Sequence, residues 1–511
     1  MYIRRSALNP RSDQALILIV EVIFGHFPKI QLRSSPRLKG RNKMKRLITP
    51  LILIAIAVVS TVGMAETSSS HEEFFKHYEG TGTCLVCHED SATDFFHSQH
   101  YQWRGHTPAV VNADGRKLGK MNTINDFCTN PLPGFIKNVK NSRGETVSEG
   151  CSECHAGLGK MPSPELSREQ LENIDCLICH SPTYERELHE DEDGSLEWKS
   201  IVWDNQEELD LVAKNITMPQ RHNCLSCHSD SGGAPNMKRG DLEDELANTH
   251  RNFDVHMAAD GANMTCIDCH GGSNHRIRGR GVDLMATDNP DEPLNCENCH
   301  GATPHAKELL NRHSARIHCT VCHIPTFAKD DATDMIRDWS TSSHNEKKDK
   351  YAPMLTLKKN VEPEIGWYNG TITAQLPGVP VTVGPDGAIQ MVTPMGSKDD
   401  PKAKLYAFKV HGGKMPVLKK ERWLLPINAE DFFGSSQIDL RVRQAAQIFY
   451  GMDDIEYEWL NIKRYMGIFH EVQPAKNAIR CLDCHGGNGR LDWAGLGYAA
   501  DPLAAALAPS H

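Results

Sequence analysis

Eight copies of one short pattern, Cys-x-x-Cys-His, constrain this chain more than any other feature of its sequence. They are Cys84, Cys87 and His88; Cys151, Cys154 and His155; Cys176, Cys179 and His180; Cys224, Cys227 and His228; Cys266, Cys269 and His270; Cys296, Cys299 and His300; Cys319, Cys322 and His323; and Cys481, Cys484 and His485. Together they use sixteen of the seventeen cysteines. In each copy two thiols on a tight turn can add to the two vinyl groups of a haem, and the adjacent histidine then lies under the ring as a ligand to iron. One such copy would also suit a zinc site, a redox dithiol or a disulfide. Eight, each with histidine directly after the second cysteine, point to eight covalently bound haem c groups; zinc knuckles pair two half-motifs and do not need that histidine.

Covalent haem attachment implies export. Residues 44–65 read as a signal peptide, with Lys45 and Arg46 as a charged start, Leu47 to Val62 as an apolar run and Gly63-Met64-Ala65 as a small-residue end. The apolar run is short for a membrane anchor and meets a cleavage-like site, so contact with the membrane is expected only transiently through this peptide. Residues 1–43 are basic, hold one short apolar run from Ala15 to Phe24 and precede a better start at Met44, so they read as a mis-called N-terminal extension. Residues 66–511 then form the cytochrome domain, expected in the periplasm. Without residues 1–65 the chain has 45 basic and 64 acidic residues, a net −19. That balance argues against nucleic acid as a partner. It suits a redox partner that docks electrostatically, such as a quinol-linked or small periplasmic cytochrome.

The fold expected is a mainly α multihaem cytochrome c with extensive loops, in which eight haems replace a conventional apolar core. The motifs follow one another without a fixed period, which excludes a solenoid. A long insertion, 324–480, precedes the last motif. Within it a small β-insertion around 355–410 is predicted, because residues 366–394 hold β-rich runs punctuated by Asn369-Gly370 and Pro385-Asp386-Gly387. Residues 435–471 show apolar positions at three- and four-residue spacing and predict one or two long helices, with a break near Gly451. Ser167 followed by Gln170 is a capping-box pattern leading into the third motif.

A haem with two axial histidines needs a distal one besides the motif's own. Sixteen non-motif histidines lie between residues 66 and 510. Seven of them, His100, His256, His275, His305, His313, His411 and His470, sit beside apolar residues or motifs and are the distal-ligand candidates. His97 and His250 are the nearest rivals, to His100 and His256. Seven candidates leave one haem without a distal histidine, and chemistry is expected there.

The motifs, with "SATDFFHSQHYQW" after the first, "INDFCTN" before the second, the close pair CSECH and CLICH, and "GGSNH", "LNRHSARIHCTVCH", "MGSKDD" and "FKVHGGKMP", resemble the octahaem tetrathionate reductase family. The resemblance covers most of residues 72–500. It implies a core similar to that of hydroxylamine oxidoreductase and pentahaem nitrite reductase, with seven bis-histidine haems. The haem of the second motif, carried here by Cys151, Cys154 and His155, would be the active site, with a lysine in place of a distal histidine. The family takes that lysine from between the third and fourth motifs, where residues 181–223 contain only Lys199 and Lys214. Lys214 is chosen, with Asp210 four residues earlier on one helical face, although the family spaces its Asp and Lys three apart. The family also sets an asparagine and a free cysteine beside this haem, which fall here on Asn125 and Cys128. An amine binds iron only when deprotonated, and a thiol at the pocket could attack or hold a polythionate sulfur.

The function expected is therefore an oxidoreductase, reducing tetrathionate or another small anionic or nitrogen-oxide substrate such as nitrite or hydroxylamine. Lys214, Cys128, Asn125 and Asp210 would shape the site. The alternative is a non-catalytic electron conduit, which would need every haem closed by two protein ligands.

Overall fold

The structure, a computed structural model, describes residues 71–127, 129–279, 287–289 and 291–507. They belong to one compact unit, Ser68–His511. The N-terminal extension and signal peptide expected from the sequence lie outside the described residues, as does Cys128. Among the described residues no helix is long and apolar enough to cross a membrane.

The first half of the unit is built from short helices and turns around the motifs, with two small antiparallel hairpins. One hairpin joins β1 (Val139–Lys140) to β2 (Thr146–Ser148), the other β3 (Arg186–Glu190) to β4 (Leu196–Ser200). Several motif turns are set by side chains that return to the backbone just ahead of them. The Asp268 carboxylate accepts from the Thr265 amide and hydroxyl. Asp483 accepts from the Arg480 amide, and Asn295 and Asn298 bond reciprocally across the sixth motif. The polar residue between the two cysteines thus starts the turn that brings both thiols to one side. The helix Arg168–Glu172 opens with the Ser167 hydroxyl accepting from the Gln170 amide.

The second half overturns the expectation of a mainly α chain. It holds a mixed seven-stranded sheet: β5 (Thr333–Asn345), β6 (Lys350–Lys358), β7 (Glu364–Tyr368), β8 (Ile372–Ala374), β9 (Ile389–Pro394), β10 (Lys404–Leu418) and β11 (Tyr457–Gly467). The order is β6-β5-β10-β11-β9-β8, with β7 also paired to β10. β10 runs antiparallel to β11 and parallel to β5. The strands span residues 333–467, so the β-structure is neither small nor confined to 355–410. Part of the segment read as helix, 457–467, is the strand β11. The spacing that suggested a helix also fits period two: Ile462, Arg464 and Met466 are buried in alternation. In so aromatic and β-branched a run, pairing along all of β10 decides between the two periods.

Within that segment Ile438–Tyr450 is the long helix, preceded by Ala429–Ser435, and it ends at Gly451, whose φ of 69° is the left-handed conformation of a helix C-terminus. These helices cover one face of the sheet. There Trp339, Met415, Val417, Phe432, Val442 and Ile462 form an apolar core. Haems are thus not the whole interior of this chain; half of it folds on ordinary sheet-on-helix packing.

One buried face of β10 is formed by every second residue, Leu405, Ala407, Lys409, His411, Met415 and Val417, with Gly413 between the last three. Two of these, Lys409 and His411, are polar and fully buried. They have counterparts on the neighbouring strands, Arg337 and Trp339 on β5 and Arg464 on β11, and Arg464 is the cross-strand partner of His411. This polar strip holds the loop that carries Asn125, through Asp126 and Phe127.

Candidate haem sites and the pocket of the second motif

Two metal–nitrogen bonds of about 2 Å each, plus the set-back of each ring centre behind its nitrogen, place the centroids of two trans imidazoles about 6 Å apart. Seven motif histidines face a second histidine at that separation. The pairs are His88 with His71 at 6.1 Å, His180 with His275 at 6.2 Å, and His228 with His100 at 6.1 Å. Next come His270 with His470 at 6.0 Å and His300 with His256 at 6.0 Å. The last two are His323 with His305 at 6.3 Å and His485 with His313 at 6.4 Å.

Several of these rings have one nitrogen fixed by the protein and the other left toward the partner ring. The Nδ1 of His270 donates to the Arg278 carbonyl at 2.7 Å, that of His180 to Thr217 at 3.1 Å and that of His313 to Leu309 at 2.8 Å. Carboxylates do the same for His470, bonded to Asp241 at 3.1 Å, and for His485, bonded to Asp501 at 2.6 Å. Such bonds fix the tautomer and leave Nε2 for a metal. Elsewhere ring nitrogens of His100, His275 and His305 are buried without a hydrogen-bond partner. Opposed rings, orphaned nitrogens and paired thiols at each turn make a donor set that fits c-type haem.

Thiols of different motifs also meet. Cys84 contacts Cys176, Cys154 contacts Cys227, Cys224 contacts Cys266 and Cys296 contacts Cys319. Cys179 lies near Cys224, Cys269 near Cys299 and Cys322 near Cys484, close enough for each pair to oppose the other's ionisation. The sites therefore form a continuous series in the order first, third, fourth, fifth, sixth, seventh and eighth, with the second joining at the fourth.

The ring planes differ from pair to pair. His305 and His323 lie 15° apart, whereas His313 and His485 are perpendicular at 90°. Axial ring orientation sets the splitting of the iron d orbitals. The eighth-motif haem is therefore expected to give a strongly anisotropic low-spin EPR signal when oxidised, and the seventh-motif haem an ordinary rhombic one. Low-temperature EPR at stepped potentials checks this; rhombic signals alone would contradict the perpendicular pair.

His155 is the exception. Its ring is enclosed by Tyr101 at 5.2 Å, Trp103 at 5.0 Å and Phe135 at 5.3 Å, and among the described residues no histidine is a ring partner. Its Nε2 donates to the Tyr101 carbonyl at 2.7 Å, and its Nδ1 is buried without a hydrogen-bond partner. Burial pushes the imidazole down to about 4, with Arg186 and Lys120 adding to the effect against the Tyr101 bond. The ring is therefore neutral, with Nε2 as its N–H nitrogen and Nδ1 as the open one. The second-motif turn is locked from the β3–β4 hairpin. Arg186 donates to the carbonyls of Glu153 and His155 and pairs with Asp175 at 2.8 Å, while the Trp198 indole donates to Ser152.

Of the four residues assigned to this pocket, Asn125 is buried in the loop 123–130, where its amide donates to the Thr129 carbonyl at 2.8 Å and its side chain accepts from the Phe127 amide. Cys128 is in the same loop, outside the described residues. Lys214 and Asp210 pack against the segment ahead of the first motif. Asp210 accepts from the Tyr78 amide at 2.7 Å and pairs with His77, and the Lys214 amine donates to the Lys76 carbonyl at 3.2 Å. Their helix rests on Tyr78 and Leu177, beside the first and third motifs. The contacts of Lys214 and Asp210 are thus with the segment 76–78. Lys199 pairs with Asp191 on the β3–β4 hairpin. The amines nearer the pocket are Lys120, 4.2 Å above the Trp103 ring that abuts His155, and Lys238, 5.9 Å from the ring of Phe127. Lys238 follows the fourth motif, outside residues 181–223.

One distal assignment also changes. His411 faces no motif histidine; it is buried between Asp126 and Asp334 and stacked on Phe127 at 4.3 Å. Its place in the set of seven is taken by His71. The polar flanks of His71 hid it, because a distal ligand takes its apolar wall from the haem and not from its sequence neighbours.

A fold of opposed histidine pairs and paired thiols defines the class: this is a multihaem c-type cytochrome. Residues 331–488 match the family described as bacterial cytochrome c. The octahaem cytochrome c of Shewanella oneidensis, known from a crystal structure, superposes with a TM-score of 0.67 at 30% identity, covering 84% of this chain and 96% of that one. An uncharacterized protein of Archaeoglobus fulgidus is 34% identical over 287 residues, 47% of this chain and 94% of its own length. The chain belongs to the multihaem c-type cytochrome family that includes the Shewanella oneidensis protein.

Proposed function

We propose that this protein is a periplasmic octahaem reductase acting on tetrathionate, nitrite or hydroxylamine at the haem of the second motif. The observation that carries the reading is His155, the one motif histidine with no imidazole across from it among the described residues. Seven sites closed by two histidines suit electron transfer, whereas a site lacking the second histidine suits chemistry. Bound haem supplies one-electron transfer and an iron position open to a displaceable ligand. The protein's part is to hold that iron through His155 in an aromatic cage, to lock the motif turn with Arg186, and to offer an amine from Lys238 or Lys120 as a weaker ligand than an oriented imidazole. Asn125, on the loop 123–130, and Cys128, three residues further along the chain, are the residues assigned to the substrate in this reading. Electrons would come from a quinol-linked or small periplasmic cytochrome and pass along the series of motifs to the second through the fourth.

Turnover by the purified holoprotein with a reduced dye tests the reading on all three substrates. Lys238→Leu and Lys120→Leu are compared with it, and in one of them the second-motif haem is expected to become high-spin. Cys128→Ala is expected to lower tetrathionate turnover by about ten- to a hundredfold if its thiol meets the substrate sulfur. No turnover on any substrate would favour the second reading, a conduit, for which the unbroken series of adjacent thiols also speaks.

A further inference from the structure

We propose that His411 is a positioning residue for the second-motif haem pocket, holding the Asn125–Thr129 turn in place from the β-sheet. This rests on the reading of that haem as the reactive one. Several polar contacts of the turn lead to the sheet, while the Thr129 hydroxyl bonds to the backbone of Ile427, just ahead of the helix Ala429–Ser435. The His411 Nδ1 bonds to the Asp126 carboxylate and its Nε2 lies 3.6 Å from Asp334. Arg464 pairs with the other Asp126 oxygen at 3.0 Å. The Trp339 indole donates to the Asp126 carbonyl at 2.7 Å and Arg337 to the Phe127 carbonyl at 2.8 Å. Phe127 is fully buried between the His411 ring and the guanidinium of Arg337, 4.9 Å from its centroid.

The turn is therefore grasped at its carboxylate, two carbonyls and an aromatic ring by side chains of β5, β10 and β11. Its far end is tied to the pocket. The Asn130 amide donates to the carbonyls of Lys120 and Thr123, and Phe135, five residues on, touches the His155 ring. A loop held only by its own backbone bonds would drift on the scale that matters for a reacting group. The histidine does what no apolar residue at that position would. It bridges two buried carboxylates that otherwise face each other, and it packs flat against the turn's aromatic side chain.

The test uses the holoprotein with His411→Phe, which keeps the ring and loses the bridge, and His411→Gln, which keeps a donor to Asp126. EPR of the oxidised protein reads the haems directly, and cyanide binding reads access to the second-motif iron. In His411→Phe the signal of the second-motif haem is expected to shift and its cyanide affinity to change at least tenfold. The signals of the seven bis-histidine haems should be unchanged, and His411→Gln should restore most of the wild-type behaviour. Trp339→Phe removes another grip on the same turn and is expected to change the same haem in the same direction if His411→Phe does not fold. An unchanged second-motif haem in His411→Phe, or in Trp339→Phe, would overturn the proposal. Loss of one bis-histidine signal would also overturn it by making His411 an iron ligand. Absence of turnover in the wild type would instead count against the reductase reading alone, since these readouts need no substrate.

Discussion

Replacing His71 by alanine is expected to convert one low-spin haem of the oxidised protein to high-spin, with the other bis-histidine signals intact. The His71 ring faces His88 at 6.1 Å, the same separation as in the other six pairs. Removing it takes away the sixth ligand and puts no other side chain in its place. The comparison with other substitutions makes the result specific. His97→Ala and His250→Ala should leave every low-spin signal in place, because their rings lie against Phe96 and Phe253 and not against a motif histidine. The first motif stands at one end of the series, with Cys84 against Cys176 of the third, so the change should also leave the potentials of the sixth to eighth haems unmoved. EPR and magnetic circular dichroism of the oxidised proteins measure this. A full set of low-spin haems in His71→Ala would show that His88 has another partner.

The largest effect on stability is expected at Arg464. Its side chain is 1% exposed and pairs with Asp126, itself fully buried. Arg464→Ala leaves that carboxylate in the interior without its cation and is expected to cost about 3–5 kcal/mol. The pairing also fixes the pH dependence. Burial pushes the Asp126 carboxyl up, but Arg464 and then His411 outweigh it and hold the group well below the usual carboxylate range. Asp241, beside Arg239 and His470, is held down in the same way. Each group binds a proton more readily in the unfolded chain. Their contribution is therefore fully present above about pH 4, where unfolded carboxyls are ionised, and is lost as pH falls below it. Denaturant melts of wild type and Arg464→Ala at pH 7 and pH 3 check both points, with the gap between the two proteins narrowing in acid. A gap that stays constant would mean that Asp126 titrates normally. Arg464→Met combined with Asp126→Leu should recover part of the loss, since an apolar pair can replace a buried ionic one.

The ligand chemistry was legible where it is local. A cysteine–x–x–cysteine–histidine turn folds within itself, and a polar residue inside the motif, such as Asp268 or Asp483, returns to the backbone just before it. Distal histidines were partly legible. His275 and His305 follow a motif by a few residues, so short connections bring them to a neighbouring haem. His71 and His411 defeated the rule of apolar flanks in opposite directions, the first polar by sequence and a partner of His88, the second apolar by sequence and part of a buried ionic strip. Lys214 was chosen by its place between motifs and its helical spacing from Asp210. Both features are real, and in the structure both residues bond to the segment around Tyr78.

The sheet was read as a minor insertion because β10 and β11 lie far from the turn signals at Asn369 and Asp386, and because the apolar positions of 457–467 satisfy helical and strand periods alike. By itself, the amino-acid sequence determined which residues can carry haem, since thiol spacing and the adjacent histidine are fixed by bonds within five residues. The tertiary structure alone decided which histidine closes which haem, why His155 has none, and what Lys409, His411 and Arg464 are for. Those answers depend on contacts between residues as far apart as Asp126 and His411, separated by 285 positions, and no local pattern records a partner brought in by strand pairing.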